Sequence, residues 1–116
     1  MYCQKASAEH FSLAGGTTGF LYPPAPDGSH SIAAIVMNGG YPERGTAFND
    51  RCTETLYMLS GTFHVACAGA EYVLRAGDVL VIAPGKRYRS WGSGEALVLI
   101  TPSWDRAQHH IIDTPP

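Results

Sequence analysis

Charge is scarce in this 116-residue chain, which carries eight Lys and Arg against ten Asp and Glu for a formal net charge of -2. Without a basic excess there is no electrostatic case for nucleic acid or an anionic membrane as partner. Long apolar runs are missing as well. Runs such as Val79 to Ala83 and Ala96 to Ile100 are strand-sized and far short of a membrane span. The opening residues Met1-Tyr2-Cys3-Gln4-Lys5 lack a charged segment followed by an apolar one, so no signal peptide is expected. Cysteines number three, which cannot all pair internally, and their spacing fits no zinc ribbon or redox motif. Reduced thiols in a cytoplasmic protein are the expectation. No stretch sustains a helical period for three turns, and there is no internal repeat, low-complexity run or linker.

What remains is strand and turn. A hydrophobic share of 45% in a chain this short predicts one domain with a single closed core. Thirteen Gly and eight Pro suit short strands and frequent turns. Strands are predicted over 19–23, 31–38, 47–50, 54–59, 62–66, 72–74, 79–82, 88–91 and 96–101. Turn signals such as Gly39-Gly40, Ser60-Gly61, Ala76-Gly77-Asp78, Pro84-Gly85 and Gly92-Ser93-Gly94 punctuate them. This spacing predicts an all-β sandwich or barrel. Residues 1–18 are expected to form an N-terminal arm, 19–104 the barrel, and 105–116 a C-terminal tail packing on or near it.

Two segments carry a more specific pattern. The first runs Gly40-Tyr41-Pro42-Glu43-Arg44-Gly45, through Phe48-Asn49-Asp50-Arg51-Cys52-Thr53-Glu54, to Tyr57-Met58-Leu59-Ser60-Gly61. The second is Gly77-Asp78-Val79-Leu80-Val81-Ile82-Ala83-Pro84-Gly85-Lys86-Arg87-Tyr88. Together they resemble the paired motifs of small single-domain cupins, over roughly residues 30 to 105. The resemblance implies a jelly-roll barrel. In many cupins the first motif supplies two His and a Glu, and the second a last His, to hold a divalent metal. Here the Glu is Glu54, while the His positions align with Phe48, Asp50 and Tyr88. Glu43-Arg44-Gly45, Phe48-Asn49-x-Arg51, Tyr57 and Ser60-Gly61 are also similar to metal-independent cupin dehydratases of specialised metabolism that act on a nucleoside aldehyde. The catalytic His of that group falls at Glu43 and its two active tyrosines at Leu56 and Ser90, so a different catalytic set is expected.

Strand alternation sorts the candidates. If Glu54 faces the lumen, Leu56 and Met58 share it, with Phe48 and Asp50 inward on the preceding strand and Tyr88 and Ser90 on the later one. A carboxylate in such a lumen has its charged form desolvated, which raises its pKa toward general acid/base range, so Glu54 is the leading catalytic candidate. Its alternative is pairing with Arg51 or another arginine. Tyr88 can donate a proton or bind a carbonyl, or simply fill the barrel. Glu43 is a further acid or base. Phe48, Asp50, Leu56, Met58, Ser90, Arg51 and Trp91 are the substrate-binding candidates, arginine being suited to an anion and tryptophan to a planar ring. Arg51 and Arg87 flank inward positions, which directs them outward, and Cys52 is read as a small buried residue. His10, His30, His64, His109 and His110 are expected at the surface or as caps, with His110 able to reach the barrel mouth if the tail folds over it.

The leading expectation is an enzyme without a cofactor, a lyase, dehydratase or isomerase of a small polar metabolite. Two alternatives stand beside it: a non-catalytic small-molecule-binding barrel, and a barrel with a divalent metal held by Asp50 and Glu54. Monomer and homodimer are both open.

Overall fold

The computed structural model describes residues 1–113. Among the described residues, nine antiparallel strands form a single curled sheet: β1 (Glu9–Leu13), β2 (Thr17–Leu21), β3 (Ser31–Tyr41), β4 (Thr46–Asn49), β5 (Thr53–Cys67), β6 (Ala70–Arg75), β7 (Val79–Ile82), β8 (Tyr88–Thr101) and β9 (His109–Ile112). The path runs β1-β2-β3-β8-β4-β9, and β5 joins it on β8 while also pairing with β6 and β7. Two short 3-10 turns, Lys5–Ser7 and Arg106–Gln108, are the other regular elements among the described residues. No helix among them is long and apolar enough to cross a membrane.

β5 and β8 form the spine. Each was expected as two strands, but Thr53–Cys67 pairs with Tyr88–Thr101 along its length, with one irregularity between Met58 and Ser60. The Ser60-Gly61 and Gly92-Ser93-Gly94 signals therefore mark bends within strands, not loops between them. The two backbones nearly touch there. A Cβ on Gly61 would run into the Ser93 carbonyl oxygen, and one on Gly94 into that of Ser60. Glycine permits the approach that lets both strands fold across the barrel.

Alternation then fills the interior. Leu56, Met58, Phe63 and Val65 of β5 meet Ala96, Val98 and Ile100 of β8 and Ala33 and Met37 of β3 in the core. Cys52 is fully buried, as expected, and its thiol donates to the Pro102 carbonyl at 3.4 Å. The segment expected as an N-terminal arm contains β1 and the start of β2, a hairpin on the sheet edge. The segment expected as a tail contains β9, which pairs with β4 from Thr46↔Ile112 to Asn49↔His109.

Candidate functional site

A cavity of about 630 Å³ opens into the barrel. Its wall is largely apolar, with Phe11, Leu21, Ile35, Leu56, Val98 and Trp104 among the lining residues, and its polar groups are few. Such a volume and such a lining suit a small organic ligand. Glu54, Leu56, Tyr88 and Ser90 all line it, as alternation predicted.

Glu54 is placed by β5, and its carboxylate opens onto the cavity rather than onto bulk water. That is why a side chain with residual accessibility is still strongly desolvated. Burial pushes its carboxyl above the usual range, and hydrogen bonding from Tyr88 and Asn49 offsets part of the rise. Among the described residues no cation pairs with it; the ion pairs are Arg44–Asp113, Arg51–Asp105 and His110–Asp50. Tyr88 is 6% exposed, and burial followed by the Glu54 charge raises its phenol well above 10. It is a neutral donor at any ordinary pH.

Three residues outside the expected set complete the cluster. Tyr41, at the end of β3, donates its hydroxyl hydrogen to His109 Nε2 at 2.6 Å. His109 Nδ1 in turn donates to Asn49 Oδ1 at 2.8 Å, which fixes the tautomer. Burial, then the neighbouring His110, pulls His109 down to about 4, so the ring is neutral. Burial, then Glu54, pushes Tyr41 up to about 12, so the shared proton stays on the phenol. Asn49 Oδ1 also accepts from Gln108 Nε2 at 2.9 Å, which leaves the Asn49 amide hydrogens free to face Glu54. The Gln108 side-chain Oε1 accepts from the Arg51 and Cys52 backbone amides, so the turn that leads into β9 clamps the bend that positions Asn49.

Several expected residues lie elsewhere. In β4 the inward positions are Ala47 and Asn49, 0% and 2% exposed, so the register is one residue from that expected. Phe48 therefore does not block the lumen: it stacks on His110, with ring centroids 5.0 Å apart. Asp50 is exposed and bonds His110 Nε2 at 2.8 Å, which also keeps His110 at the surface. Met58 points inward but is packed into the core, away from the cavity wall. Arg51 is ion-paired to Asp105 at 3.1 Å in solvent. Trp91 stacks on His64 beneath Arg89. Glu43 is exposed and off the cavity.

The residues at the four metal positions of a cupin do not make a metal site in this chain. Phe48 offers no ligand and Asp50 faces outward, which leaves Glu54 and a phenol. Among the described residues no group of three or more His, Cys, Asp and Glu could hold a metal ion. What the cluster can do is move protons, since a desolvated carboxyl, two phenols and a neutral imidazole meet in a largely apolar pocket.

Three further residues line the cavity. Arg106 and Glu9, both exposed, mark its opening. Thr17, 3% exposed, lines the wall, and its hydroxyl is the single buried side-chain polar atom without a hydrogen-bond partner among the described residues.

A family profile described as the EutQ-like cupin domain matches residues 36–101. No curated protein sequence matches the chain. Solved structures similar to it include Streptomyces PAC13 with uridine, at a TM-score of 0.86 and 20% identity, covering 100% of this chain and 93% of that one. PAC13 is described as a β-barrel nucleoside dehydratase. A protein from Planctomyces limnophilus is similar at a TM-score of 0.78 and 18% identity over 94% of each chain. KdgF from a Halomonas species is similar at 0.67 and 16%, covering 85% of this chain and 90% of that one.

Proposed function

The chain belongs to the EutQ-like cupin domain family, and from that premise we propose that it is a metal-independent lyase or isomerase of a small polar organic molecule, a dehydratase in the first instance. The observation that carries this reading is Glu54, a carboxyl desolvated in an open pocket with no ion-pair partner among the described residues. A carboxylate used only for structure is paired; one held at a raised pKa beside proton donors is suited to acid/base work.

The chemistry follows from the placement. The Glu54 carboxylate takes a proton from carbon next to a substrate carbonyl, and the charge developing on that oxygen is met by the Tyr88 hydroxyl, which turns away from the carboxylate as Glu54 takes up the proton. In a dehydration the β-hydroxyl then departs with the proton that Glu54 has collected, so the carboxylate is regenerated and water is released. In an isomerisation the same proton returns to a neighbouring carbon. Asn49 and the Gln108–His109 pair hold the carboxylate and Tyr41 in place. Loss of water-filled space around Glu54 strengthens each of these contacts.

PAC13 binds uridine, and a nucleoside-sized substrate fits a cavity of about 630 Å³. Trp104 and Tyr41 supply flat surfaces for a ring. The direct experiment incubates the protein in D₂O with a panel of β-hydroxy aldehydes and ketones that includes a nucleoside aldehyde, followed by NMR. Water loss or deuterium uptake next to the carbonyl is expected, reduced about 10²–10⁴-fold in Glu54→Gln. Full turnover in both Glu54→Gln and Tyr88→Phe sinks the assignment. Binding without any exchange identifies a non-catalytic barrel instead.

A further inference from the structure

The outer face of the barrel wall carries a second unusual feature. Ile32, Val36, Tyr57, Leu59, Val79, Val81, Leu97 and Leu99 are all 39–58% exposed. They are not scattered. Ile32 pairs with Leu99, Leu99 with Thr55 and Thr55 with Val81; the next row runs Ala34, Leu97, Tyr57, Val79. Four adjacent strands thus present two rows of side chains that are apolar but for Thr55, with Val36 and Leu59 extending them at one end. At the outward positions of these segments the only charged side chain is Glu95, opposite Val36 at the margin.

From this face we infer that the protein forms a two-fold dimer by packing the outer surfaces of β3, β8, β5 and β7 against those of a second copy. Size is the first argument. At the exposures given, the eight side chains leave on the order of 700 Å² open, more than the ~300–600 Å² of the largest apolar patch on a typical monomer and close to the ~800 Å² per partner of a standard interface. Charge is the second. With no ionic group inside the patch, nothing complements a charged partner, whereas an apolar sheet face complements itself under a two-fold axis. Shape is the third. β-Branched and leucine side chains on a twisted sheet interdigitate when two sheets stack about 10 Å apart, as the two halves of a sandwich do. The cavity opens on the other side of the same wall, so both copies keep their pockets.

Sedimentation velocity from 1 to 100 µM tests this, with circular dichroism to confirm folding. The wild-type chain should sediment at twice its 12.4 kDa. Leu97→Glu, at the middle of the patch, and Val79→Lys, at its edge, should both remain folded and shift the apparent dissociation constant upward at least tenfold. Val73→Lys, at an equally exposed site on β6 outside the patch, should leave association unchanged. A wild-type monomer at 100 µM, or a folded Leu97→Glu and Val79→Lys pair that still dimerise as the wild type does, overturns the inference.

Discussion

Replacing Thr17 with valine should stabilise the protein and leave its turnover unchanged. The Thr17 hydroxyl is buried without a hydrogen-bond partner among the described residues, so it forfeits its hydrogen bonds to water without recovering them; the cost of leaving such a group unsatisfied is about 1–3 kcal/mol. Valine keeps the branched shape, so packing and χ1 preference on β2 are retained. A gain of about 1 kcal/mol is expected. With an unfolding entropy of roughly 2.1 cal/mol/K per residue, a chain of this length gains roughly 4 °C in Tm for each kcal/mol. Differential scanning calorimetry reads this directly. In turnover assays the same variant should keep kcat and KM near wild type, because the hydroxyl is closed off from the cavity and lies outside the acid/base cluster. A Tm lowered by about 2 °C or more means that the hydroxyl has a partner in the free protein, and the reasoning fails.

Glu54→Gln should raise stability at neutral pH, since the folded-state pKa of Glu54 lies above its unfolded value. The wild type binds the extra proton when folded, so its deficit relative to the variant grows as pH rises from about 4.5 and fades below it; urea melts across pH 4 to 8 measure this, and a pH-independent difference refutes it. His109 acts in the opposite sense. Its pKa falls from 6.5 to about 4 on folding, so the stability it contributes is lost as pH drops through that window, and His109→Gln should flatten the wild-type slope there. Gly94→Ala should cost about 3 kcal/mol or more, because the added Cβ meets the Ser60 carbonyl and the Met58 methyl where two strands cross; a urea midpoint near wild type refutes the crossing as a constraint.

Alternation made much of the lumen legible before any coordinates. Once Glu54 is set inward, Leu56, Tyr88 and Ser90 follow, because side chains on a strand alternate between its faces and Tyr88 sits on a strand paired to β5. Local signals failed at long-range decisions. Glycines that normally end strands here let β5 and β8 bend, and neither Ser60-Gly61 nor Gly92-Ser93-Gly94 carries a mark that separates a bend from a turn. The phase of β4 was missed because Phe48 looks like the interior residue; pairing with β9 turns it outward and buries Asn49 instead. His109 was out of reach for the same reason. Only the antiparallel match of β9 to β4 brings it against Tyr41, and a run such as His109-His110-Ile111-Ile112 gives no sign of which histidine faces in. Tyr41 stood inside the first motif, two residues before Glu43, and its aromatic ring at a strand end was the available signal.

The clamp made by Gln108 and His109 has a consequence for how the protein comes into being. Asn49 is held by residues 59 and 60 positions further along the chain, and β4 has β9 as its principal strand neighbour. On a ribosome, β2, β3, β5 and β8 can pair as soon as they emerge, yet the bend carrying Asn49 stays unpinned until β9 follows. The growing chain would therefore pass through a stage with a closed core and an unfinished site, and chemistry would begin only after the last strand had docked.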